Sequence, residues 1–284
     1  MAQSSIRLLI RDDRFATLTF DAPDRTTNVL TEQTWRDLEV ALRVLIVQSD
    51  VRGVILKSAK PDSFIVGADL KLLAGAVRHD PAVKAVIDHG HRVLNMLESL
   101  PCPTCALIDG AALGGGLEVA LACDIILLGT NRKIELGLPE VKFGLMPGWG
   151  GTQRLPRLIG MPFAGDLIGT GKTISAVRAA EIDLALGPID SGTLLSSAMQ
   201  IMGIEGWQSA RRQKMEWIPA ETRALYRPQL DNATRAVREA LTALVDGCAL
   251  PLPEALARET EGFFHLVGSD ESKLLIEQFF AGKK

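Results

Sequence analysis

Through the first two-thirds of this chain, short apolar runs closed by turn residues alternate with stretches of helical period, an order that points to a layered α/β fold. Residues 15–23 (FATLTFDAP), 53–59 (GVILKSA), 105–110, 124–129 and 133–137 read as strands. Between the first two, residues 31–48 set Trp35, Leu38, Leu42, Leu45 and Ile46 on one helical stripe, with Thr31 as the cap and Glu32 in the first turn. From about Thr193 the pattern is helical throughout. Residues 235–245, 253–264 and 271–280 each carry an apolar stripe, punctuated by Gly247 and Gly268. The expectation is an α/β core over 1–195 and an α-helical region over 196–284, with 203–219 as the boundary region.

At 284 residues, 47% hydrophobic and 23% charged, the chain has room for one large core. Its net charge of -3 gives no electrostatic case for a nucleic-acid partner. The opening MAQSSIRLLIRDDR interrupts its apolar residues with arginine and aspartate, unlike a signal peptide. No run approaches the roughly 20 apolar residues of a membrane span. These features point to a cytoplasmic protein, and a reducing compartment suits its four cysteines as thiols.

Several motifs fail on inspection. Cys102 and Cys105 have redox or zinc spacing, but Pro101 leads into an apolar strand rather than a helix, and no second pair completes a metal site. They read as buried structural thiols. His89 and His91 do not share a helix face, and His79 and His265 are isolated, so no metal site is expected. Residues 165–173 (GDLIGTGKT) resemble a phosphate-binding loop, yet Asp166 stands where the motif needs glycine and would repel phosphates. Neither a dinucleotide fingerprint nor a serine nucleophile elbow occurs.

Residues 112–124 (ALGGGLEVALACD) place three consecutive glycines at the mouth of a helical run. Glycine there costs about 0.5–1 kcal/mol against alanine, so something requires the bare backbone. With 64–71 (FIVGADLK) and 136–155 (LGLPEVKFGLMPGWGGTQRL), this segment supplies two unhindered turns and two glutamates, Glu118 and Glu140. If the loops converge, the N–H groups of Ala68 and Gly115 can point at one oxygen, aided by the amides and dipole of the helix that begins near Gly115. Two carboxylates beside such an oxyanion site suit divided acid–base work. Asp69 and Asp124 read as residues that bond backbone amides.

In order and spacing, these three segments resemble the hallmark segments of the crotonase, or enoyl-CoA hydratase/isomerase, superfamily, and the resemblance extends over essentially the whole chain. FDAPDRTTNVL, FIVGADL, LPEVKFGLMPG and the ending GSDESKLLIEQFFAGKK are most similar to the hydratase half of the multifunctional members, the alpha subunits of bacterial fatty-acid oxidation complexes. The resemblance implies a crotonase-type spiral of ββα units with a C-terminal α-helical region that takes part in trimer or interdomain packing. It implies an acyl-CoA thioester as substrate, no cofactor beyond the coenzyme A of that substrate, assembly as a homotrimer or hexamer, and a place in a multienzyme complex.

On the matching positions, the amides of Ala68 and Gly115 form the oxyanion hole, Glu118 and Glu140 are the catalytic pair, Gly148 lies by the catalytic water, and Lys71 sits near coenzyme A. Glu140 then delivers the α-proton and Glu118 orients and activates water, as in an enoyl-CoA hydratase of fatty-acid β-oxidation. Burial or a neighbouring charge is expected to raise the pKa of Glu140. Relatives that only shift a double bond usually lose the first glutamate, so a chain with both resembles a hydratase that can also isomerise.

Two positions depart from the pattern: Asp109 stands where asparagine is commoner, and Trp149 replaces a smaller residue or phenylalanine. Trp149 reads either as a wall that narrows the acyl pocket or as core packing. The alternatives are an enoyl-CoA isomerase, other acyl-CoA enolate chemistry, or a non-catalytic acyl-CoA-binding or assembly module. Binding alone would not need the pair of glutamates.

Overall fold

The computed structural model describes residues 4–204, 215–228 and 230–282. Most of the expected boundary region, residues 205–214, lies outside the described residues. Nine strands form two sheets among the described residues. The first sheet contains β1 (Ile6–Ile10), β2 (Phe15–Phe20), β3 (Gly53–Ser58), β5 (Thr104–Ile108) and β7 (Ile125–Leu128), in that order across the sheet. The second contains β4 (Ser63–Ile65), β6 (Ala111–Leu113), β8 (Leu136–Gly137) and β9 (Thr173–Ile174).

The chain winds between these sheets. β3, β5 and β7 each add to the first sheet and are followed by β4, β6 and β8, which add to the second. Helices return the chain to the next turn: α1 (Glu32–Ile46) precedes β3, α2 (Leu70–Ala74) and α3 (Pro81–Glu98) follow β4, and α4 (Gly115–Leu121) follows β6. Every pairing of these successive turns is parallel, β2 with β3, β3 with β5 and β5 with β7 in one sheet, β4 with β6 and β6 with β8 in the other. The result is the expected spiral of ββα units.

The physical basis is legible strand by strand. β2 and β5 are buried along their whole lengths, as central strands covered on both faces must be. One face of the first sheet packs Phe15, Ile55, Cys105 and Leu127 against Leu194, Ala198 and Met202 of α8 (Leu194–Met202). The other joins the main core with Trp35, Leu38, Leu42 and Leu45 of α1. The side-chain oxygen of Thr31 caps α1, accepting from the Thr34 amide at 3.1 Å. Ile46 falls outside the buried stripe and is exposed.

Other expectations are adjusted by length. The strand expected over 133–137 contracts to Leu136–Gly137, with Glu135 exposed. β1, β4 and β6 lie in segments that the period left unassigned. The phosphate-loop lookalike is the end of α6 (Met161–Thr170), closed by left-handed Gly171. α5 (Gly151–Ile159) precedes it and α7 (Ala176–Glu181) follows.

The C-terminal part consists of α9 (Ala220–Ala224), α10 (Arg235–Gly247), α11 (Leu252–Leu266) and α12 (Asp270–Ala281). α10 packs on α5, α6 and α11, so these helices are joined to the spiral rather than set apart from it. Among the described residues no helix is long and apolar enough to cross a membrane.

Candidate active site

Parallel neighbours end on the same side of a sheet, and this places the site. β4, β6 and β8 are adjacent and parallel, so the loops that leave their C-terminal ends emerge together. Those loops carry, in turn, Ala68, Gly115 and Glu140. The first is fixed by a short bridge to Leu30, whose N–H donates to the Gly67 carbonyl at 2.9 Å and whose carbonyl accepts from Asp69 N–H at 3.2 Å. The second turns at Gly114, with φ +53° and ψ -128°, a conformation that side chains disfavour.

A Cβ on Gly114 would lie 2.7 Å from Glu140 Oε1 and 3.7 Å from Gly67 Cα, so the bare backbone lets the two loops and the carboxylate approach. At Gly116 a Cβ would sit 2.0 Å from the Ile65 carbonyl oxygen, which explains a second member of the glycine run. Among the described residues the N–H groups of Ala68 and Gly115 have no acceptor. Both residues line one cavity of about 500 Å³, together with Glu118, Glu140, Gly148 and Trp149.

Glu118 lies one turn into α4 from Gly115 and is 1% exposed. Its Oε1 accepts from the amides of Trp149 at 2.8 Å and Gly151 at 2.7 Å. Burial pushes this carboxyl up to about 7, against the opposing pull of those amides and of Arg154. Glu140 is the second residue of a 3₁₀ turn (Pro139–Phe143) and is half-buried as a residue, but its Oε2 is buried with no hydrogen-bond partner among the described residues. Burial first, and the charge of Glu118 second, hold its carboxyl well above the usual carboxylate range.

The remaining expected residues separate. Gly148 is buried against Phe263, which a Cβ there would meet at 3.0 Å. Trp149 lines the cavity and packs its ring edge-on against Trp35 at 5.0 Å. Lys71 is exposed at the start of α2 and stands outside the cavity wall. Asp109 Oδ1 accepts from the Asn131 amide and the Ser191 hydroxyl, and Asp124 Oδ2 from the Thr104 amide. All four cysteines are buried, and no cluster able to hold a metal ion occurs among the described residues.

Sequence reasoning missed Arg154, Glu98 and Glu259. Arg154, 2% exposed, donates to both oxygens of Glu98 and to the Trp149 carbonyl. Glu259 of α11, 0% exposed, accepts from the amides of Gly150 and Thr152. A signal for Glu259 existed: it falls on the buried stripe of its helix with Leu252, Leu256, Phe263 and Leu266, where a carboxylate is out of place unless partnered. Nothing comparable marks Arg154, because every residue of its helix except Leu158 is buried.

The enoyl-CoA hydratase/isomerase family matches residues 12–246. The fatty acid oxidation complex subunit alpha of Shewanella frigidimarina is 36% identical over 98% of this chain and 41% of its own length, and that of Shewanella halifaxensis is 34% identical over the same shares. The chain thus spans about two-fifths of the length of the curated relatives it matches. Among solved structures, an enoyl-CoA hydratase from Bacillus anthracis is 30% identical with a TM-score of 0.65, over 99% of this chain and 97% of that one. One from Bacillus halodurans, at 23% identity, 97% and 100% coverage and a TM-score of 0.73, shares the fold.

Proposed function

The chain belongs to the enoyl-CoA hydratase/isomerase family, and from that premise we propose that it is an enoyl-CoA hydratase of fatty-acid β-oxidation, adding water across the double bond of a 2-enoyl-CoA thioester. One observation carries the reading. Two amides with no acceptor among the described residues, of Ala68 and Gly115, line a single cavity with two glutamates, the buried Glu118 and Glu140, whose Oε2 is buried.

Glu118 accepts a proton from water as the water oxygen bonds to the β-carbon. The π electrons move toward the thioester oxygen, where the Ala68 and Gly115 N–H groups stabilise the enolate. Loss of one such donor typically costs about 2.7–4 kcal/mol of transition-state stabilisation. Glu140 then protonates the α-carbon, the role for which burial and the nearby charge of Glu118 keep it neutral. Proton exchange between the two carboxyls and solvent resets the pair. The chemistry needs no cofactor beyond the coenzyme A of the substrate. Assembly as a trimer or hexamer belongs to the same proposal, as does docking into a multienzyme complex, which the names of the relatives, subunits of a fatty acid oxidation complex, support.

An isomerase would use Glu140 alone to move a proton between α- and γ-carbons. The buried Glu118, tied to two loop amides, favours hydration. The test is turnover of crotonyl-CoA and of a 3-enoyl-CoA by the protein and by Glu140→Gln. Hydration that disappears in the folded variant supports the proposal, and near-normal hydration by Glu140→Gln overturns it.

A further inference from the structure

Four consecutive amides, from Trp149 to Thr152, are divided between two carboxylates that come from distant parts of the chain. Glu118 Oε1 takes Trp149 and Gly151. Glu259 takes the alternate pair, with Oε1 on Gly150 N–H at 2.5 Å and Oε2 on Thr152 N–H at 2.8 Å, and Oε2 also accepts from the Thr152 hydroxyl at 2.6 Å. These amides open α5, which has no side-chain cap of its own at Gly150. The first N–H groups of a helix need outside acceptors, and here the two glutamates are those acceptors.

We infer that Glu259 is a positioning residue for Glu118, holding the loop so that the Trp149 and Gly151 amides fix one oxygen of Glu118 at the cavity wall. The inference rests on the role proposed for Glu118. Arg154 restrains the same loop from its carbonyl side, through the bond to Trp149. The two carboxylates are electrostatically linked, since burial first and then the charge of Glu118 push Glu259 up to about 8. α11 thereby contributes to the geometry of the reaction without touching the reacting atoms, and it also supplies Phe263 to the cavity wall.

Glu259→Gln is the direct test. Its amide has one acceptor oxygen and an NH₂ that only donates, so that NH₂ group is forced toward a loop N–H. A misplacement of about 1 Å at a catalytic group can cost about 100-fold in rate. The expected result with crotonyl-CoA is kcat lower by about 100-fold with KM within about threefold. In residue-resolved hydrogen exchange of the free protein, the Trp149 and Gly151 amides, which Glu259 does not touch, exchange faster.

Thr152→Val removes the hydroxyl that donates to Glu259 and accepts from Gln153 Nε2, leaves the Thr152 amide on Glu259, and gives a smaller change in the same two readouts; it carries the test if Glu259→Gln does not fold. Unchanged exchange at Trp149 and Gly151 in a folded variant overturns the inference, as does kcat within threefold of the parent for Glu259→Gln. The exchange measurement needs no substrate, so the two failures are distinguishable: a parent protein that hydrates nothing sinks the proposed function, whereas unchanged exchange at Trp149 and Gly151 sinks the restraint of the loop by Glu259.

Discussion

Arg154 and Glu98 form a two-pronged ion pair, Nε to Oε1 and Nη2 to Oε2 at 2.8 Å each, while the third nitrogen of Arg154 holds the Trp149 carbonyl at 2.8 Å. A planar guanidinium meets three acceptors in two directions here, a geometry that a lysine ammonium does not reproduce. The pair ties the end of α3 to the first turns of α5, and hence to the loop whose amides bind Glu118.

Removal of one partner of a buried pair leaves the other desolvated and unpaired. Arg154→Met is therefore expected to lose about 3–5 kcal/mol, with Arg154→Lys recovering only part of it. Urea unfolding followed by circular dichroism measures the difference. A loss below about 1 kcal/mol would show that the pair does not restrain the loop to this degree.

Glu118 gives the fold a pH dependence of definite sign. Its folded pKa of about 7 exceeds that of an ordinary carboxylate, so the folded state binds the extra proton. The stabilisation is complete below the ordinary carboxylate range and is lost as pH rises through about 7. Glu118→Gln cannot ionise, and its carbonyl oxygen can still accept from Trp149 and Gly151. The variant should gain on the parent between pH 5 and 8, by at most on the order of 3 kcal/mol. Parallel stability curves across that range would contradict this account.

The same carboxyls shape the activity profile. A base that must be ionised produces an acid limb near pH 7, from Glu118. An acid that must stay protonated produces an alkaline limb, from Glu140, whose carboxyl burial and the Glu118 charge hold above its ordinary range. The kcat/KM for crotonyl-CoA, measured from pH 5 to 10, should therefore be bell-shaped. A profile flat from pH 5.5 to 8.5 would remove Glu118 from the role of base.

The sequence by itself determined the alternation of the longer strands and helices, because apolar period is local: a run such as IILL or a stripe such as Trp35, Leu38, Leu42 and Leu45 carries its signal within one window. It also marked the segments that hold Ala68, Gly115, Glu118 and Glu140, since a glycine run beside a carboxylate is costly without a use. Tertiary structure alone decided how these residues meet. β4 and β6 are three residues each, too short for any period, yet their parallel pairing makes the Gly67 and Gly114 turns emerge side by side. Tertiary structure alone also paired Glu259 with the Gly150 and Thr152 amides and Arg154 with Glu98. A buried charge is tolerated only by the partner that folding brings to it, and the identity of a partner far along the chain is not written in the residues around it.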